Sequence, residues 1–287
     1  MDRKILDLFY QYRHKPIPRR MFIERLAELA GGTTAAMALL PLLEGDEAMA
    51  AVVPSDDPRL ETATVRYRSA LGEVSAYQAR PEGAGPLPGV VVIHENRGLN
   101  EHIRDVARRV GLAGHHALAP DLLSRKGGTP PVQIDAIRAI GRLTRANAVT
   151  DLTGAVDFLR GSSLVAAGQV GAVGFCWGGG MSLRLATASP ELTAAVVFYG
   201  PNPPLKDVPK IAASLLLLYA GNDAPITPRV PRLTAALDRA GKQYTVKVYP
   251  NTEHAFHNDT SPARYNAEAA RDAWARTLVF FGEHFKG

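Results

Sequence analysis

The chain has 287 residues, 46% hydrophobic and 21% charged, with 26 glycines, 21 prolines and a single cysteine. That composition supports a packed core and excludes wholesale disorder, collagen-like repeats and an intrachain disulfide framework. The net charge is +5, and residues 1–20 carry six basic side chains against two acidic ones, so the rest of the chain is nearly neutral. With no basic stripe in view, a nucleic-acid partner is not expected.

The first fifty residues read as a leader. Arg19 and Arg20 precede Met21-Phe22-Ile23, an uncharged stretch follows from Leu29 to Leu43, and Ala48-Met49-Ala50 supplies small residues at the first and third positions. Basic head, apolar middle and small-residue cleavage site are the three parts of a bacterial export signal, here of twin-arginine type. The apolar stretch falls short of the ~18 residues that a membrane span needs. Glu24, Glu28, Glu44, Asp46 and Glu47 sit awkwardly in such a signal. The other reading is a retained helical extension, with Leu26, Leu29, Ala30, Leu39, Leu40 and Leu43 as an apolar stripe. Residues 1–54 are thus assigned to an export signal or extension, with a periplasmic or secreted location in the first case and a cytoplasmic one in the second. Residues 55–287 are assigned to a catalytic domain.

After Pro54 the pattern alternates strands with helices. Ala63–Ser69 and Glu73–Ala79 alternate apolar and polar residues around Leu71-Gly72 and predict a hairpin. Gly89–His94 is a β-branched run suited to a strand covered on both faces. Helical spacing follows at Asn100–Leu112, then a short strand at His115–Ala119 and helices at Ile134–Leu143 and Val149–Leu159. Gln169–Phe175 predicts a buried strand and Met181–Thr187 a helix. Ala194–Tyr199 and Ser214–Tyr219 are further buried strands, with a proline-led helix at Thr227–Ala240. Tyr244–Tyr249 alternates as a strand, and Asn266–Phe285 is a long amphipathic helix. This order predicts an α/β fold with a mostly parallel sheet, helices on both faces and an antiparallel hairpin at the N-terminal side.

Gly174-Phe175-Cys176-Trp177-Gly178 lies between a predicted strand and a predicted helix. With serine at its centre, G-x-S-x-G is a nucleophile elbow. A thiol suits the same turn: the helix N-terminus aims its dipole and free N–H groups at the sulfur, which favours the thiolate. A nucleophile of this type needs an acid and a base, in that chain order. Asp223 follows the strand ending at Tyr219, and His254 follows the strand ending at Tyr249. His257 is the rival base, and a turn-capping role is the alternative for Asp223. Glu95, just after the Gly89–His94 strand, is placed to reach the elbow. Otherwise it pairs with Arg97 or caps the next helix at Asn100. The loop it begins is also where a second oxyanion N–H belongs. No metal is expected, because His94-Glu95 lacks the second histidine of a zinc motif. No cofactor is expected either.

His94-Glu95-Asn96-Arg97-Gly98-Leu99, Gly174–Gly179, Gly221-Asn222-Asp223 and His254-Ala255-Phe256 together resemble the dienelactone hydrolase (carboxymethylenebutenolidase) family across about residues 60–286. The resemblance implies an α/β-hydrolase fold and hydrolysis of a lactone or ester. It implies Cys176 as nucleophile, His254 as base, Asp223 as its orienting acid, and Glu95 as a partner that helps form the thiolate. The backbone N–H groups of Asn96 and Trp177 match the oxyanion hole. Family members acting on dienelactone hold its carboxylate with arginines, one of them four residues after the catalytic histidine, where this chain has Asn258. Arg264, Arg138 and Arg142 are the alternatives. Trp177 and Tyr199 are expected to wall the pocket, unless they only pack the core.

The expected partner is a small ester or lactone, and the expected assembly a monomer or homodimer. A carboxylesterase of the same fold acting on neutral esters is the nearer alternative. A thiol sensor or binding protein is the farther one, and it lacks a second, resolving cysteine.

Overall fold

The central sheet has eight strands in the order β1-β2-β4-β3-β5-β6-β7-β8, in a computed structural model that describes residues 8, 11–12, 17–30 and 53–285. The strands are β1 (Leu60–Ser69), β2 (Gly72–Pro81), β3 (Leu87–Ile93), β4 (His116–Pro120), β5 (Val165–Phe175), β6 (Ala194–Phe198), β7 (Ser214–Ala220) and β8 (Tyr244–Tyr249). β1 pairs antiparallel with β2, and β2 with β4. From β4 onward every pairing is parallel. This is the predicted α/β-hydrolase arrangement.

The β-branched runs are continuous because both sheet faces are covered. Val91 and Ile93 point into one apolar cluster, with Leu152 and Val156 of α4 (Arg145–Arg160), Met181 and Leu185 of α5 (Trp177–Ala188), and Leu233 and Leu237 of α6 (Val230–Arg239). Val90 and Val92 point into the other, with Ile103 and Val106 of α2 (Glu101–Leu112) and Ala273 and Phe281 of α7 (Ala267–His284). Residues two apart share a face, so each of β2 to β7 feeds both clusters. α3 (Gln133–Arg142) buries only Ala136 and Ile140.

Several boundaries differ from the predicted ones. The hairpin closes with Ser69 opposite Gly72, so its turn is Ala70-Leu71. β5 begins at Val165, where Leu87 of β3 pairs with it across a register shift. α5 starts at Trp177 and includes the three glycines placed ahead of it. The Thr227–Ala240 helix is a 3-10 turn over Thr227–Arg229 followed by α6, with prolines near the start of both.

The chain divides into two compact units, Met1–Ala51 and Val52–Gly287. In the first, α1 (Arg19–Ala30) buries Phe22 and Leu26, four residues apart, in a cluster with Leu8 and Tyr12. Leu29 is exposed, so it lies off that stripe. Leu39, Leu40, Leu43 and the Ala48–Ala50 site lie outside the described residues. In the second unit, Val53 is gripped by α2. Its N–H donates to Asp105 Oδ1 at 2.8 Å, and its carbonyl accepts from Arg108 Nε at 2.8 Å. No helix among the described residues is long and apolar enough to cross a membrane.

Leu217 sits in the middle of β7, fully buried. Leu217→Ala is expected to cost about 2–5 kcal/mol, read as a lower urea midpoint at unchanged m-value.

Candidate active site

β3 sends the chain outward to β4, and β5 then returns to β3's other side. The carboxyl ends of β3 and β5 therefore flank a topological switch point, where open α/β sheets place their sites. Glu95 follows β3, Cys176 follows β5, Tyr199 follows β6, Asp223 follows β7 and His254 follows β8.

Cys176 stands at φ 55°, ψ −118°, between β5 and α5. A side chain in this region is strained, and surrounding packing must hold it there. The glycines on either side permit that packing. A Cβ at Gly174 would lie 2.1 Å from the Gly178 carbonyl oxygen, and one at Gly178 would lie 2.4 Å from the carbonyl oxygens of Ile93 and His94. The Cys176 N–H donates to the Phe198 carbonyl at 3.0 Å, tying the turn to β6. The residue is half-buried.

His254 Nε2 lies 3.0 Å from Cys176 Sγ, and His254 Nδ1 lies 2.5 Å from Asp223 Oδ2. The Asp223 side chain is 1% exposed and that of His254 is 28% exposed. The loops carrying these residues are bonded to one another. Gly221 N–H donates to the Tyr249 carbonyl, Asn222 N–H to that of Thr252, and Asn222 Nδ2 to Glu253 Oε1. Burial opposes charge on His254. Hydrogen bonds to Asp223 and Cys176, with the charges of both, more than offset it and raise the imidazole to about 10. His257 is instead a core residue. It is packed among the tilted rings of Phe175, Phe198 and Trp274, and burial first, then the charges of His102 and Arg109, lower it to about 3.

Glu95 is 3% exposed. Its Oε2 accepts from Asn258 Nδ2 at 2.9 Å, and its Oε1 has no partner among the described residues. It neither pairs with Arg97 nor caps α2: Asn100 caps that helix with its own side chain. Asn258 is fixed in turn, its Oδ1 accepting from Thr260 N–H and Oγ1. This link spans 163 residues of sequence, and the sequence offered only the hint that an asparagine stands where the family carries arginine. The loop from His94 to Leu99 is also braced against the segment after β4. Leu99 N–H donates to Thr129 Oγ1 at 2.9 Å, and Thr129 donates to Asp121.

Of the other arginines considered, Arg138 and Arg142 are exposed on α3, the former paired with Asp135. Arg264 lies half-buried in the turn that follows Ser261. Arg97, which was not among them, lies on the loop after β3 at 7% exposure, and its charge acts on the Tyr199 phenol. Tyr199 is wholly buried at φ 41°, its ring 5.1 Å from that of His254. Burial pushes its phenol well above the usual range, and the charges of Glu95 and Cys176 add to this. Trp177 is half-buried and lies parallel to His94 with ring centres 5.6 Å apart. The N–H groups of Asn96 and Trp177 donate to no acceptor among the described residues. Nor does any group of three or more His, Cys, Asp or Glu among those residues have the arrangement to hold a metal ion.

A sheet of this topology, with its polar residues gathered on the loops after β3, β5, β7 and β8, defines an α/β-hydrolase. The profile of the dienelactone hydrolase family matches residues 74–285. A protein of Methylorubrum extorquens carrying the carboxymethylenebutenolidase name is 34% identical over 227 residues, covering 74% of this chain and 78% of its own. One of Escherichia coli K12 with the same name is 32% identical, covering 81% and 91%. A crystal structure from Klebsiella pneumoniae, named for dienelactone hydrolase, is 32% identical with a TM-score of 0.72, covering 78% of this chain and 99% of its own. The dienelactone hydrolase-like promiscuous phosphotriesterase P91, from metagenomic libraries, is 27% identical with a TM-score of 0.70, covering 79% and 100%. The chain belongs to the dienelactone hydrolase family and is a hydrolase.

The raised His254 carries a pH signature. The folded protein holds a proton that an unfolded histidine releases near 6.5. The stabilisation it brings is complete below pH ~6.5 and is lost as pH rises through about 10. The urea-midpoint advantage of wild type over Asp223→Asn is expected to shrink steadily across that window. A constant difference would show His254 uncharged in the folded state.

Proposed function

We propose that the protein hydrolyses a lactone or carboxylic ester through a thioester on Cys176. The observation that carries this reading is the continuous chain from Sγ through both imidazole nitrogens to a buried carboxylate, with separations of 3.0 and 2.5 Å, at a strained turn. The mechanism starts with the thiol proton on His254, a thiolate–imidazolium pair that Glu95 helps to form. The sulfur attacks the carbonyl carbon, a C–S bond forms, and the C=O π pair moves onto oxygen. The N–H groups of Asn96 and Trp177 receive that oxyanion, each donor being worth ~3 kcal/mol of barrier. Collapse re-forms the carbonyl and breaks the C–O bond, and the departing oxygen takes a proton from the His254 imidazolium. His254 then deprotonates a water molecule, which attacks the thioester and releases acid and thiolate. Asp223 holds the imidazole in the tautomer this exchange needs. Glu95, steadied through one oxygen by Asn258, keeps the other available to the sulfur.

A second reading, a carboxylesterase for neutral esters, is favoured by one observation. Asn258 supplies no positive charge, and its amide is already committed to Glu95. Turnover of neutral aryl esters, an enol lactone bearing a carboxylate and a phosphotriester, measured on wild type and Cys176→Ala, separates the cases. The variant is expected to lose at least about 10³-fold on every turned-over substrate, and wild type to accumulate an acyl-enzyme visible by intact mass. Retained turnover in Cys176→Ala overturns the cysteine mechanism.

We further propose that the leader directs export. Mass spectrometry of the protein from its native host is expected to find a mature chain beginning near Ala51. A chain that still begins at Met1 overturns export with cleavage.

A further inference from the structure

His94 directly follows β3, is completely buried, and has no part in the mechanism above. Its Nδ1 lies 2.7 Å from the Glu95 carbonyl oxygen, and its Nε2 lies 3.4 Å from the Leu122 nitrogen. A carbonyl can only accept and a backbone N–H can only donate. The two partners therefore demand the neutral imidazole with its proton on Nδ1. Burial, which pushes the imidazole down, keeps it in that form.

The Glu95 carbonyl and the Asn96 N–H are two ends of one planar unit, and the chain holds no cis peptide among its described residues. In a trans peptide they point in opposite directions, so a group that fixes one fixes the other. A donor on the carbonyl also polarises the unit and strengthens the N–H as a donor. The same imidazole stacks on Trp177, whose N–H is the other proposed oxyanion donor.

We infer that His94 is a positioning residue that aims the Asn96 N–H into the oxyanion hole by gripping the far end of its peptide unit. This rests on the thioester reading above. The Gly98 N–H also reaches the Glu95 carbonyl, at 3.3 Å, so losing the imidazole loosens that grip without abolishing it.

Two reactions of Cys176 separate this role from general support. Acyl transfer builds an oxyanion, whereas alkylation by iodoacetamide displaces iodide at a saturated carbon and builds none. His94→Phe keeps a ring against Trp177 and removes both polar contacts. It is expected to lower kcat by about 10–10³-fold, with KM and the alkylation rate within twofold of wild type. His94→Asn, which can place an amide N–H where Nδ1 stands, is expected to recover most of the lost kcat. His94→Gln, whose amide lies farther out, is expected not to. Should His94→Phe fail to fold, the Asn and Gln variants decide the matter alone. Equal kcat in all variants, Gln matching or exceeding Asn, or parallel losses in kcat and alkylation overturn the inference. Retained turnover in Cys176→Ala points instead to failure of the thioester reading.

Discussion

The strain at Cys176 is the constraint on which the rest of the structure depends. A cysteine at positive φ persists only where its surroundings leave no alternative. Here those surroundings are backbone. The helix after the turn lies so close to β3 that the Ile93 and His94 carbonyls occupy the space a side chain at Gly178 would need. This closeness places the first turn of α5 beside the loop that carries Glu95 and Asn96. Cys176 and Trp177 on one segment, and Glu95 and Asn96 on the other, flank a place where two stretches of main chain touch.

Around that contact the protein has spent buried polar groups freely. Asn258 reaches across to Glu95, Thr129 and Asp121 brace the loop from the β4 side, and His94 ties it to Leu122. Buried polar side chains cost stability unless their hydrogen-bonding capacity is met. Most of these meet it by holding loops rather than core helices. The loops after β7 and β8 are tied to one another by main-chain hydrogen bonds instead, from Gly221 to Tyr249 and from Asn222 to Thr252. The site is thus a set of loops bolted to one another above a rigid sheet.

Much of this was legible in the chain. Uninterrupted β-branched runs announced strands covered on both faces, and Cys176, Asp223 and His254 each stand just after a segment readable as a strand, as they do in the structure after β5, β7 and β8. What could not be read was contact between distant segments. The glycines at 178–180 argue against helix by propensity, yet they begin α5 because packing against β3 and β6 admits nothing larger. Asn258 was conspicuous only as a missing arginine. Its bond to Glu95 depends on the conformation of two loops, which no local pattern encodes. His94 looked like the last residue of a strand, and its partners, one residue along and 28 residues along, emerge only once β3 and β4 lie side by side.

The grip of α2 on Val53 has a consequence for the chain's beginning. Asp105 and Arg108 engage both the N–H and the C=O of that residue in a buried setting, so the hydrolase body starts there in energetic terms. Two positions of sequence, 51 and 52, separate this anchor from the Ala48–Ala50 triplet. A peptidase cutting after Ala50 would leave the anchored Val53 as the third residue of the product, so the fastening by Asp105 and Arg108 would be kept in the trimmed protein.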